Sequence, residues 1–319
     1  MTSRELDAAG IREPVLRSAY QRCRELNARH GRTYFLATRL LSPPQRPAVH
    51  ALYGFARWLD DIVDEPAPGS TPATIAAELK AVEKRFFAAF GAGRSDDPLL
   101  AAVIDACARY GIAREHFRAF FRSMRMDLTV TDYPQRAALD DYVHGSAEVI
   151  GLQVLPVLGT VTGRDEAAPH AAALGKAFQL TNFLRDVAED LARDRVYLPA
   201  DELAEFGVDR DRLAWCAEHG RVDQRVRDAL AAQIAVTRTV YDQARPGIAM
   251  LHPVSRACVA TAFRLYSEIL DRIERAGHNV FAGRAAVPRT RRVVIAAGAL
   301  TRAQWLQLRN PAPAPVAVS

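Results

Sequence analysis

Apolar residues recur at steps of three and four along most of this 319-residue chain. Short proline- and glycine-bearing breaks interrupt them: SPPQRP at 42–47, EPAPGSTP at 65–72, SDDP at 95–98, DYP at 132–134 and LP at 198–199. The period places apolar side chains on one face of a helix, and the breaks supply helix ends. No run alternates with period two between turn residues, as a half-buried strand would, and no repeat of fixed period is visible. The pattern predicts an all-α chain folded as one compact domain.

Two of the predicted helices carry a polar stripe that their surroundings do not explain. From about Pro47 to Glu65, Val49, Leu52, Ala56, Leu59 and Val63 repeat at helical steps, and Ala51, Phe55, Trp58 and Ile62 are apolar as well. A helix apolar around so much of its girth is mostly buried. Its remaining stripe holds Tyr53, Arg57, Asp60, Asp61 and Asp64. Like charges at that spacing cost about 0.2–0.5 kcal/mol in water, but unpaired carboxylates in a cleft cost far more, so the stripe requires positive charge. The plainer alternative is a solvated acidic face at a helix end.

The segment QLTNFLRDVAEDLARDRVYLP (179–199) repeats the arrangement. Leu174, Ala177, Phe178, Thr181, Leu184, Ala188 and Leu191 form its apolar stripe, while Gln179, Asn182, Asp186 and Asp190 align at steps of three, four and four. Oxygen-only donors of this kind suit a hard cation such as Mg²⁺, which takes the rest of its shell from water and phosphate. Two such helices, far apart in sequence, are most simply opposing walls of one cavity with metal ions bridging to a diphosphate. Arg57 and Arg185 can add charge-assisted contacts to the same oxygens.

Composition narrows the remaining classes. Nowhere do about eighteen apolar residues run together; the longest such stretch is 293–300, so no spanning helix is predicted. The start, MTSRELDAAG, lacks the apolar core of a secretory signal, which predicts a cytoplasmic protein. The net charge of +5 suits anionic partners, but the basic residues are scattered among acids, which argues against nucleic acid. Cys23, Cys107, Cys216 and Cys258 form no C-x-x-C pair and read as packed, reduced thiols. Gly91 and Gly93 form a lone G-x-G without a βαβ pattern, so no dinucleotide fold is expected. RNPAPAPVAVS, at the end of the chain, reads as a frayed tail.

HGRTYFLATRLL (30–41), ALYGFARWLDDIVDE (51–65) and the 179–199 segment resemble, in order, the signature segments of the squalene and phytoene synthase family. The resemblance covers roughly residues 20–290, flanked by an N-terminal segment 1–19 and a C-terminal helix and tail 291–319. It implies the isoprenoid synthase fold, a helical bundle around a central cavity. It also implies head-to-head joining of two prenyl diphosphates through a cyclopropylcarbinyl diphosphate. Matched position by position, Asp60, Asp64, Asp186 and Asp190 are magnesium-site aspartates (with Mn²⁺ an alternative ion), supported by Asp61 and Asn182. His30, Arg32, Thr33, Tyr34, Tyr53 and Arg57 match diphosphate-side positions. Gln179, Tyr142 and Tyr197 match cavity positions, and Tyr266 and Arg284 match C-terminal substrate positions.

The second motif, N-x-x-x-D-x-x-x-D followed by RVYLP, differs from the second D-D-x-x-D of chain-elongating enzymes and from the triad of cyclases. It resembles the phytoene-forming bacterial branch most. That branch implies geranylgeranyl diphosphate as substrate, carotenoid biosynthesis as context and no organic cofactor. The runner-up is a fifteen-carbon, farnesyl diphosphate reading leading to squalene, dehydrosqualene or presqualene diphosphate, in which NADPH enters only for squalene. A non-catalytic scaffold relative is the alternative of a different class, and both intact aspartate pairs oppose it. An oily product also predicts peripheral membrane contact. One segment departs from the family: YVHGSAEVIG (142–151) keeps Tyr142, Ala147 and Gly151 but introduces His144, Ser146 and Glu148. It is expected to line the prenyl tunnel, with His144 packed or at the surface and Glu148 in solvent or a salt bridge. Substrate length therefore stays open at this point.

Overall fold

A computed structural model of the chain describes residues 3–310 and 312, apart from the side chains of Arg32, Thr33 and Arg289. The frayed tail expected at the end lies, from 311 onward except for 312, outside the described residues. The helices, in order, are α1 (Ser3–Ala8), α2 (Pro14–His30), α3 (Arg32–Thr38), α4 (Arg46–Asp64), α5 (Pro72–Ala92), α6 (Pro98–Tyr110), α7 (Arg114–Met126), α8 (Arg136–Val143), α9 (Val149–Leu158), α10 (Arg164–Ala192), α11 (Ala200–Ala204), α12 (Arg210–His219), α13 (Gln224–Ala244), α14 (Gly247–Met250), α15 (Pro253–Arg275) and α16 (Arg289–Arg309). Among the described residues there is no strand, only the isolated bridges Asp132–Val196 and Thr160–Leu251. The all-α, single-domain expectation is met.

The sequence breaks act as helix ends for identifiable reasons. Thr71 caps α5 by accepting from the Thr74 amide, and Asp97 caps α6 by accepting from Leu99 and Leu100. Each cap satisfies amides that the first helical turn leaves without partners. Prolines occupy the first turns of α2, α4, α5, α6 and α15, where no amide is needed.

Three apolar clusters surround a cavity. One, built largely from α2 and α4–α7, is dense in rings: Phe55 and Phe86 lie 4.9 Å apart, Phe86 and Phe117 4.7 Å. A second joins α8, α10, α12, α13 and α15, and a third lies among α3, α9, α15 and α16. All four cysteines are buried free thiols, as packing predicts.

The 142–151 segment is not a continuous α-helix. A π-helical turn, His144–Glu148, joins α8 to α9, and such a turn re-aims the side chains that follow it. There α9 and α10 meet backbone to backbone. A Cβ on Gly151 would stand 2.2 Å from the Ala171 carbonyl oxygen, and one on Gly175 2.3 Å from that of Ala147. His144 is exposed at the surface and pairs with Glu148, Nδ1 to Oε2 at 2.9 Å.

Candidate active site

The cavity of about 320 Å³ is walled almost wholly by apolar groups, among them Leu41, Val49, Leu52, Ile150, Val154 and Leu174. Three residues singled out from sequence, Tyr34, Tyr53 and Gln179, line it. So do Ser146, Ala147, Ile150 and Gly151 of the departing segment. Tyr266 does not itself line the cavity but stacks on Phe178, which does, at 4.3 Å, and lies 5.4 Å from Tyr34.

Tyr53 ties this cavity to the first acidic stripe one and two turns further along α4. Burial pushes its hydroxyl up to about 12 against the lowering effect of Arg57, with Tyr266, Asp60 and Asp61 adding to the rise. Arg57 is committed to its own helix: Nη1 donates to Asp60 at 3.2 Å, and Nη2 pairs with Asp61 and donates to Glu65 at 2.8 Å. Burial and the neighbouring Asp64 raise the Asp60 carboxyl to about 6, despite Arg57. Asp64 is held from across the site, by Arg193 at 3.3 Å and Arg195 at 3.2 Å, both just beyond the end of α10.

On α10 the assignment of partners is reversed. Burial alone would raise Asp186, but hydrogen bonds from Arg185 and Arg284 outweigh it and hold the carboxyl below its ordinary value. Arg284 makes a fork, Nε to Oδ1 at 2.8 Å and Nη2 to Oδ2 at 2.9 Å, the geometry that planar guanidinium matches best. Asp190, one turn on, is raised to about 7 by burial and by Asp186, against Arg193. Asn182 donates to Gln179 at 3.5 Å, while its own Oδ1 is buried without a partner. Arg193 acts on both Asp60 and Asp190, so the two stripes border one space, as their composition implied.

Three expected positions fall elsewhere. Tyr142 and Tyr197 do not line the large cavity. They pack with Tyr133 and Phe183, the Phe183 and Tyr197 rings stacking at 4.0 Å, because offset ring contacts and burial favour a closed aromatic cluster there. His30 ends α2 exposed. The side chains of Arg32 and Thr33 lie outside the described residues.

The aromatic cluster nonetheless touches the acidic site through residues that the sequence reading missed. Arg195 Nη1 donates to Asp64 and, at 3.4 Å, to the Tyr197 hydroxyl, while Nη2 donates to the Asp127 carbonyl at 2.9 Å. Burial raises the Asp127 carboxyl to about 7, opposed by a hydrogen bond from Tyr142 and by Arg195. The available signals were weak. Arg195 stands inside RVYLP but outside the helical stripe, and Asp127 is one acid between Met126 and Leu128 at the end of an apolar helix face.

The donor set fits a divalent cation in part. Two pairs of carboxylates, one member of each raised mainly by burial, and an unpartnered amide oxygen are groups whose charge and lone pairs a bound cation would satisfy. Among the described residues, no three His, Cys, Asp or Glu side chains converge to cage a metal alone. A magnesium ion held here would take the rest of its ligands from water and a diphosphate, which is its usual habit.

The chain resembles known proteins over most of its length. A family model described as squalene/phytoene synthase matches residues 27–291. A protein of Arthrospira platensis named phytoene synthase is 37% identical over 93% of this chain and 97% of its own. The 15-cis-phytoene synthase of Synechococcus elongatus is 36% identical over 91% of this chain and 95% of its own. A crystal structure of a dehydrosqualene synthase superposes with a TM-score of 0.80 at 22% identity, covering 91% of this chain and 98% of that one, which establishes the fold. With the family model spanning most of the sequence and the phytoene synthases spanning nearly all of it, the chain is a prenyltransferase-type enzyme and belongs to the squalene/phytoene synthase family.

Proposed function

We propose that this enzyme joins two geranylgeranyl diphosphates head to head to give phytoene, with Mg²⁺ bound between the aspartates of α4 and α10. What supports the reading is that Tyr53 of α4 and Gln179 of α10 line the apolar cavity while Asp60, Asp64, Asp186 and Asp190 follow them within about three turns on the same two helices. Relatives named phytoene synthase, spanning nearly the whole chain, support the choice of product.

In the first half-reaction, the C1–oxygen bond of one substrate breaks and diphosphate leaves. The allylic cation is attacked by the C2=C3 double bond of the second substrate, and loss of a proton closes a cyclopropane that still carries one diphosphate. In the second, that diphosphate leaves, the cation rearranges to a 1,1′ linkage, and a further proton is lost to give the polyene. No reductant is consumed. Magnesium, when bound, neutralises charge that develops on the departing diphosphate. Asp60, Asp64, Asp186 and Asp190 would hold it, with Asp61 and Asn182 in support. Arg185, Arg193, Arg195 and Arg284 add positive charge at the same rim, where leaving-group oxygens gather. Below the rim, Tyr34 and Tyr53 offer aromatic faces to the cation, and the apolar wall denies it water.

The test is product identification. Purified protein, Mg²⁺ and either geranylgeranyl or farnesyl diphosphate, each with and without NADPH, are incubated and the hydrocarbon is identified by mass spectrometry. Phytoene from the twenty-carbon substrate without reductant is the expected product. Squalene or dehydrosqualene from the fifteen-carbon substrate alone would overturn the assignment.

A further inference from the structure

Helix α16 presents an apolar face that nothing among the described residues covers. Its inner side, including Ile295, Ala296, Ala299 and Ala303, packs onto the body of the protein. Two polar contacts fix its rotation: Arg291 Nε donates to Glu268 at 3.2 Å, and Gln307 Nε2 donates to the Leu40 carbonyl at 3.0 Å. The outer side cannot roll inward without breaking both. On that side Val293, Val294, Leu300, Trp305 and Leu308 are exposed, Val294 at 64% and Leu308 at 88%. At 3.6 residues per turn, these five fall within an arc of roughly 140°.

Charge marks the same helix. Arg289, Arg291, Arg292, Arg302 and Arg309 are its five ionisable residues, and there is no acid among them. The Arg309 guanidinium lies 4.2 Å from the centre of the Trp305 ring, so cation and aromatic stand side by side at the edge of the apolar arc. Short, strongly basic helices with Trp, Leu and Val on one side lie in the plane of a membrane interface. No helix among the described residues is long and apolar enough to cross a bilayer.

We infer that the outer face of α16 is the seat of an anionic lipid bilayer, with Val294, Trp305 and Leu308 entering the headgroup boundary and Arg302 and Arg309 meeting lipid phosphate. A second copy of the chain fits less well. Two-fold pairing through this helix sets arginines beside arginines with no acid on the helix to offset them. The inference rests on the proposed function for its purpose. Ala299 and Ala303 share an apolar cluster with Leu41, Cys258 and Ala262, which line the cavity. Helix α16 and the side chains beneath it therefore stand between the bilayer and the space assigned to prenyl chains.

The experiment is flotation of the full chain with vesicles of phosphatidylcholine alone or mixed with phosphatidylglycerol, alongside turnover in detergent. The wild type should float with the mixed vesicles, and brominated acyl chains should quench Trp305. Trp305→Gln with Leu308→Gln should weaken binding about tenfold or more, through loss of apolar area. Arg302→Gln with Arg309→Gln should weaken binding to the mixed vesicles about tenfold and spare the small binding to neutral ones. Both pairs should keep wild-type turnover in detergent, which reads the proposed function independently of membrane docking. Failure of the wild type to float, or flotation of both variants with the mixed vesicles as strong as that of the wild type, overturns the inference. So does a wild-type dimer by light scattering that either variant turns into monomer, which would give the face to a second copy.

Discussion

The acidic stripes of α4 and α10 look alike in sequence, yet their carboxylates are treated differently. Asp186 is gripped by Arg185 and Arg284 and stays ionised below the ordinary carboxylate range. Asp60, at the corresponding rim position of α4, has Arg57 beside it but shares that arginine with Asp61 and Glu65, and rises to about 6. Their pair-mates reverse the pattern. Asp64 is held by Arg193 and Arg195, while Asp190 rises to about 7. Each pair thus has one member held by two arginines and one whose carboxyl is raised, Asp60 sharing its only close arginine with two other acids and Asp190 having no ion pair among the described residues. A spacing rule tells where carboxylates lie; only the third dimension tells which of them arginines already hold.

The largest expected effect is on turnover. Asp60→Asn and Asp186→Asn should each lower Mg²⁺-dependent diphosphate release by at least about 10²-fold, because losing a metal ligand removes several kcal/mol of charge stabilisation from the transition state. Circular dichroism should stay unchanged. Full activity in either variant breaks the pairing of the two helices.

Stability should then separate the same two substitutions. Without metal, Asp186→Asn leaves Arg185 and Arg284 short of an acceptor and should cost about 1–3 kcal/mol in urea unfolding. Asp60→Asn removes a carboxylate that burial disfavours and should raise the midpoint slightly. Equal shifts of the same sign would erase the asymmetry.

Next comes pH. Asp60 and Asp190 titrate in the unfolded chain near the ordinary value of about 4, but in the folded protein near 6 and 7. Between those values the unfolded chain binds fewer protons, so metal-free stability should fall as pH rises from about 4 to about 7 and level off beyond. Asp186 acts the other way, its contribution present above the unfolded value and lost only as pH falls through its lowered one. The double variant Asp60→Asn/Asp190→Asn should flatten the decline, which denaturant titrations at several pH values would read.

Arg195→Met should cost about tenfold in turnover, in keeping with the loss of one charge-assisted partner of Asp64. The smallest effect is purely steric. Gly175→Ala pushes a methyl toward the Ala147 carbonyl oxygen and should cost about 1–3 kcal/mol through overpacking, with substrate preference altered more than metal binding.

Much of this was legible in the sequence because it depended on local spacing. The helix ends follow from the proline- and glycine-bearing breaks, and the burial of α4 and the alignment of Asp186 with Asp190 from steps of three and four. What escaped was set by tertiary contact. Nothing in YVHGSAEVIG signals the π-helical turn, which accompanies the close approach of α9 and α10 at Gly151 and Gly175. Tyr142 and Tyr197 were assigned to the cavity by resemblance, but their rings close on Tyr133 and Phe183 instead. Arg195 reaches Asp64 across 131 positions of sequence, a partnership no helical period encodes.

The most direct test of the central claim is calorimetric binding of inorganic diphosphate with and without Mg²⁺, in the wild type and in Asp60→Asn and Asp186→Asn. Since no carboxylate cage exists on either helix alone, the account predicts that metal and diphosphate bind the wild type only together, and that either substitution, on either helix, weakens that joint binding. Mg²⁺ bound tightly without diphosphate, or joint binding left intact when one of the two helices loses its aspartate, would contradict it.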